Sequence, residues 1–241
     1  MARVCGMIHG YSGVGKSPLL DTMPGPRLIL DAEGGTDWTP SRKIHWNPAE
    51  PPPTGLSEDD TVVVTVRDFN TLRQVYGWLT SPRHQHEFES VGFDSLTEIQ
   101  LRCKDDIAAG GFHDQRQWGQ LLEQMTQLIR NFRDLKMDPA HPVNVFFICL
   151  SVSKDDIQKA DIQGALVGKL PGYMDFVGYL FTASEAEGLV HRLLVAPYPG
   201  FQAKDRTTRL VARFGQSIVT HGTPEACDLA CIVRVVNGEE C

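Results

Sequence analysis

Eight consecutive residues, Gly10-Tyr11-Ser12-Gly13-Val14-Gly15-Lys16-Ser17, constrain this chain more than any other segment, because they satisfy the pattern GxxxxGK[ST] in full. That pattern needs a strand before it and a helix after it. Arg3 to His9 reads as a short buried strand, and a helix is expected to begin near Lys16, with Pro18 in its first turn, where a missing N–H costs little. Between the two, the glycines let successive backbone N–H groups turn inward around an anion, and the helix adds its positive N-terminal end. Lys16 is then placed to reach β- and γ-phosphates, and Ser17 to ligate Mg²⁺. The ligands implied are ATP, or a close relative, and Mg²⁺.

The rest of the chain alternates strands and helices. Arg27 to Asp31 predicts a second strand and the β-branched run Thr61 to Val66 a third. Leu72, Val75, Tyr76 and Leu79 recur at helical spacing behind Asp68, a candidate N-cap. Ser90 to Asp94 predicts another short strand. Trp118, Leu121, Leu122, Met125, Leu128, Ile129 and Phe132 mark the apolar face of a long helix. Val143 to Leu150 is apolar enough for a central strand, and Phe176 to Ala183 with Leu189 to Ala196 suggest a hairpin around Glu187-Gly188. The expected fold is therefore α/β, with a mainly parallel central sheet flanked by helices and an antiparallel edge hairpin. Residues 1–241 are expected to form one domain, with a Pro-rich loop over 36–60 and a C-terminal extension over 211–241.

Composition excludes more than it identifies. No run of apolar residues is long enough for a membrane span, no secretory leader is visible, and the expected location is the cytoplasm. The net charge of −7 argues against a surface that coats nucleic acid throughout, while leaving room for a local basic groove. The six cysteines include no CxxC pair, so disulfides are not expected; Cys227 and Cys231 would share a helix face, but two thiols make a poor zinc site. Arg83-His84-Gln85-His86 reads as surface histidines.

A nucleotide-bound Mg²⁺ calls for a carboxylate at the end of a neighbouring apolar strand, and Val91-Gly-Phe-Asp94 supplies one. The residue after Asp94 is Ser95 rather than a glutamate, so a hydrolytic base must come from elsewhere. Arg27-Leu-Ile-Leu-Asp-Ala-Glu33 looks like the segment of RecA-type recombinases in which a strand after the P-loop helix ends in Asp-Ala-Glu. That resemblance implies that Glu33 activates the attacking water.

Four segments together, Gly10 to Ser17, Leu30 to Gly35, Val91 to Glu98 and Ala203-Lys-Asp-Arg206, resemble phage nucleotide-binding proteins with a RecA-like core, a group that includes single-strand annealing proteins. The resemblance implies a RecA-like P-loop ATPase stimulated by single-stranded DNA, acting in recombination or annealing as a homo-oligomer, ring or filament, alongside a single-stranded DNA-binding protein. Lys204 and Arg206 would reach, in trans, the γ-phosphate held by a neighbouring subunit. DNA contacts would fall in two loops, one after Asp94 and one between Ser151 and Tyr173. RecA-type proteins carry a polar γ-phosphate sensor at the end of the strand that here runs through Ile148-Cys-Leu150, which leaves Ser151 or Ser153 as candidates. The chain starts directly at the P-loop strand, which favours annealing or a partner-assisted role over strand exchange. A nucleotide-dependent loader of replication proteins and a small-molecule kinase are the alternatives.

Overall fold

A computed structural model of the protein describes residues 2–108, 114–186, 188–223 and 226–241. β1 (Cys5–Gly10) leads through the Gly-rich loop into α1 (Lys16–Leu20). β2 (Arg27–Asp31), β3 (Lys43–His45), β4 (Thr61–Thr65), α2 (Phe69–Leu79) and β5 (Ser90–Asp94) follow. Next come α3 (Leu96–Ile107), α4 (Gln115–Asp134), β6 (Asn144–Lys154), β7 (Ile157–Ala160) and α5 (Leu166–Tyr173). The chain closes with β8 (Phe176–Glu185), β9 (Gly188–Leu194), β10 (Lys204–Asp205), α6 (Arg209–Phe214), β11 (Ser217–His221) and α7 (Leu229–Val236).

The strands form one sheet in the order β11-β9-β8-β1-β6-β5-β2-β4-β3, with β10 on β8 and β7 on β6. From β8 to β3 neighbouring strands are parallel, while β9, β10, β11 and β7 pair antiparallel. The α/β class, the mainly parallel sheet and the antiparallel hairpin are those read from the sequence; Glu187, named with Gly188 in that reading, lies outside the described residues.

Both sheet faces are covered, which explains why the central strands are apolar throughout instead of alternating. Met7, Leu28, Leu30, Val145 and Phe147 pack with α2 to α5, while Ile8, Ile29, Phe146 and Ile148 pack with α1, α6 and α7. On α2, Phe69, Leu72, Val75 and Leu79 are buried, and the Asp68 carboxylate accepts the Thr71 N–H at 2.8 Å as the helix N-cap.

Four expectations need correction. The stretch 36–60 is not all loop: Lys43–His45 forms β3, paired parallel to β4, and partly buried Ile44 packs on the core. Three residues among prolines are too few to give a readable period. Trp118 is not on the buried face of α4, where burial begins at Leu121; it is 43% exposed, with the Lys104 ammonium 5.6 Å from its ring centroid. His86 is buried rather than surface-lying, stacked on Phe88, and burial lowers its pKa to about 4. The two segments expected to meet DNA as loops are mostly regular structure among the described residues. Ser95 caps α3 directly after Asp94, and β6 runs on into an antiparallel hairpin with β7 before α5 begins. Of the charges that suggest a solvated loop, Asp155 and Asp156 form the hairpin turn with φ of 56° and 59°, backbone that Asp tolerates better than most residues, while Lys159 lies in β7 and Lys169 in α5.

Candidate functional site

The loop between β1 and α1 is shaped by close approach. A Cβ on Gly10 would lie 2.5 Å from the Leu180 carbonyl oxygen of β8, so no larger residue fits without moving backbone. Gly13 and Gly15 have φ of 80° and 91°, the left-handed region that turns their amides inward. His191 of β9 braces the loop from the side, with Nδ1 2.8 Å from the Val14 carbonyl oxygen. Lys16 is buried, and its Nζ donates to the carbonyls of Gly10 at 3.0 Å and Tyr11 at 2.7 Å. Burial pushes the Lys16 pKa down, opposed by the charges of Asp94 and Glu33.

Parallel pairing brings the acidic groups to the same end. In the register of β2 and β5, Asp31 stands beside Asp94. Asp94 is buried close to the Ser17 side chain, and its Oδ2 has no hydrogen-bond partner. Burial raises its pKa to about 6. Gly35 closes over this pair, since a Cβ there would lie 2.9 Å from Ser17 Oγ and 3.3 Å from Asp94 Oδ2. A hydroxyl and a carboxylate with a free buried oxygen are hard oxygen donors of the kind that hold Mg²⁺ beside nucleotide phosphates. The residues therefore fit the metal that the motif implies.

Asp31 organises the turn that carries Glu33. Its carboxylate accepts from the N–H groups of Glu33 (2.9 Å), Gly34 (2.7 Å) and Thr36 (3.1 Å), and from the Thr36 hydroxyl. Arg102 of α3 holds the same turn by donating to the Ala32 carbonyl at 2.9 Å. The exposed Glu33 carboxylate accepts from the Ser95 hydroxyl, next to Asp94 in the chain. A carboxylate from the turn after β2 thus arrives beside Asp94, although the residue following Asp94 is a serine.

Ser151, one of the sensor candidates, is tied to β1. His9 is buried at the end of β1, and burial lowers its pKa to about 4, so the ring is neutral. Nε2 must donate to the Gln202 carbonyl at 2.7 Å, which leaves Nδ1 to accept from the Ser151 hydroxyl at 2.8 Å. Tyr11 in the phosphate loop donates to Gln158 of β7 at 2.8 Å. Ser153, the other sensor candidate, pairs with Gln158 in the register of β6 and β7. His9, Gly35, Arg102 and His191 escape sequence reading, because their roles depend on strand register and not on local spacing.

Lys204 and Arg206 do not join this constellation within one subunit. Lys204 pairs with Val177 near the start of β8, the opposite end from the phosphate loop. Its Nζ donates to the Pro171 carbonyl, while Arg206 donates to the Gly172 carbonyl at 2.6 Å and lies 3.7 Å from Asp175. Both therefore cap the C-terminal end of α5, where cations are favoured.

A family model described as an AAA domain (AAA_24) matches residues 2–207. The chain belongs to this AAA domain family. Membership accords with a nucleotide-binding P-loop ATPase. Solved structures similar to the chain include a prototypical ATPase from the type III secretion system of pathogenic bacteria, 15% identical, with a TM-score of 0.45 over 74% of this chain and 52% of that one. The AAA domain protein thus spans about half the length of that ATPase. A KaiC-like protein from the hyperthermophilic archaeon Pyrococcus horikoshii OT3 is 10% identical, with a TM-score of 0.44 over 92% of this chain and 87% of that one. No curated protein matches the chain in sequence. Among the described residues, no helix is long and apolar enough to cross a membrane.

Proposed function

We propose that the protein binds ATP with Mg²⁺ along Gly10 to Ser17 and hydrolyses it, and that a homo-oligomer couples this turnover to single-stranded DNA in phage recombination or annealing. The observation that carries the ATPase is the convergence of Lys16, Ser17, Asp94 and Glu33 from three elements, with Asp94 Oδ2 buried and unpartnered. Lys16 would leave its own loop to neutralise the β- and γ-phosphates. Ser17 and Asp94 would hold the metal, which supplies charge compensation at the transferred phosphoryl group. Glu33, oriented by the Ser95 hydroxyl, would take the proton of the attacking water.

The DNA reading rests on the resemblance and is supported by how the segment 151–173 is attached. Its β-hairpin is bonded to the phosphate loop through Tyr11–Gln158 and to β1 through Ser151–His9, so a change at the nucleotide would reach it directly. A cleft of about 390 Å³ at this edge, lined by Tyr179, Phe181, Tyr198 and Phe201, offers rings for base stacking. Lys204 and Arg206 are proposed to act in trans after leaving the end of α5.

ATP turnover measured with and without single-stranded DNA tests both halves. DNA-stimulated hydrolysis abolished by Glu33→Gln is expected. Hydrolysis indifferent to DNA would favour a loader, hydrolysis only with an added acceptor would favour a kinase, and none under any condition would refute the ATPase.

A further inference from the structure

Beyond the region matched by the AAA domain family, three cysteines that lie apart in sequence meet. Cys227 precedes α7, Cys231 sits in its first turn, and Cys241 returns after it, with the three Sγ atoms within 4.8 Å of one another. Cys231 Sγ is within bonding reach of both other sulfurs. One sulfur can join only one disulfide, so no covalent pairing uses all three. The expectation that two thiols stand without a further ligand is thereby corrected, because Cys241 supplies it across ten positions of sequence.

The backbone holds these donors in place. The Cys227 N–H donates to the Val219 carbonyl of β11 at 2.8 Å, and the Cys231 N–H donates to the Asp228 carboxylate at 2.7 Å. Cys231 lies at the positive end of α7, and the Arg234 guanidinium is 3.6 Å from Cys241 Sγ. A helix N-terminus and a guanidinium both favour thiolate over thiol.

We propose that Cys227, Cys231 and Cys241 form a three-thiolate site for a thiophilic divalent cation of the zinc type, with water in the fourth position. Zinc–sulfur bonds of about 2.3 Å in tetrahedral geometry set the sulfurs roughly 3.8 Å apart, a wider spacing than the contact of Cys231 with either partner, which the reduced side chains would adopt on binding. Binding releases the three thiol protons and leaves a site of net charge −1, which Arg234 offsets. It would fasten α7 to β11. Because the Leu229 and Ala230 N–H groups donate to Thr22 just beyond α1, it would also fix that helix against the end of the phosphate-loop helix.

The test uses the full chain, purified reduced and without oxygen and titrated with Co²⁺ alone. A saturable sulfur-to-cobalt charge-transfer band is expected, displaced by Zn²⁺, lost in Cys231→Ser and in Cys241→Ser, and kept in Cys103→Ser. No band in the wild type, or a band that survives Cys231→Ser/Cys241→Ser, would overturn the site. If the variants fail to fold, wild-type protein can be alkylated with and without Zn²⁺ and mapped by mass. Protection of the three cysteines supports the site, and equal labelling refutes it. A disulfide within the trio of protein isolated in air, together with failure of the reduced form to bind Co²⁺, would assign the cluster to disulfide exchange instead.

Discussion

Asp94→Asn should make the metal-free protein more stable while removing its use of Mg²⁺. In the folded chain burial raises the Asp94 pKa from its ordinary 3.8 to about 6. Between these values the folded state holds a proton that the unfolded state has lost, so stability from this group falls as pH rises through that window. Above it the ionised carboxylate costs about 3 kcal/mol, because each pH unit is worth about 1.4 kcal/mol. An asparagine removes that cost but brings an amide N–H without a clear acceptor, a loss of about 1–2 kcal/mol. The net gain is about 1–2 kcal/mol, or roughly 3–6 °C in Tm for a chain of this size. Thermal unfolding in EDTA at pH 8 reads it directly, and repetition at pH 5 checks the cause, since protonated wild-type Asp94 should erase most of the difference. A lower Tm for the variant at pH 8, or an equal gain at both pH values, would refute desolvation of Asp94 as the origin. With Mg²⁺ and ATP the order should reverse, because only the wild type gains from the ligand.

Glu33→Gln should leave nucleotide affinity nearly intact, by equilibrium titration, while single-turnover hydrolysis almost stops; a normal rate would move the base elsewhere. Gly35→Ala puts a methyl 2.9 Å from Ser17 Oγ, so Mg²⁺-dependent ATP binding should weaken by about tenfold or more while the fold survives by circular dichroism. Unchanged affinity would mean that the turn is not packed over the metal ligands. Lys16→Ala and Lys204→Ala/Arg206→Ala should each be nearly inactive alone and recover part of the ATPase when mixed and co-assembled. No recovery in mixed oligomers would reject action in trans.

The phosphate loop is legible in the sequence because its chemistry is local: the amides, Lys16 and Ser17 all lie within eight residues. Asp94 is legible too, since an apolar strand ending in a carboxylate has few other uses beside such a loop. Glu33 is read only by resemblance, and its physical reason needs the pairing of Asp31 with Asp94, which carries the turn beyond β2 to Ser95. His9 looks like an interior strand residue until the fold sets Ser151 and Gln202 against its ring. Lys204 and Arg206 show the limit of pattern: the same triplet that fits a catalytic pair also fits the end of α5, where the folded subunit puts it. β3 and the cysteine trio are hidden for simpler reasons, one being three residues long and the other depending on where a tail returns.

Lys16 occupies its own loop, with the Gly10 and Tyr11 carbonyls as partners. An incoming anion must therefore outcompete two intramolecular hydrogen bonds before it gains the ammonium. Inorganic phosphate or a monophosphate offers little to replace them. A triphosphate arrives with loop amides engaged along its length and can draw the lysine away. Under the proposed function these two hydrogen bonds would set a threshold that favours ligands by the number of phosphates they bring, before the base or sugar is read.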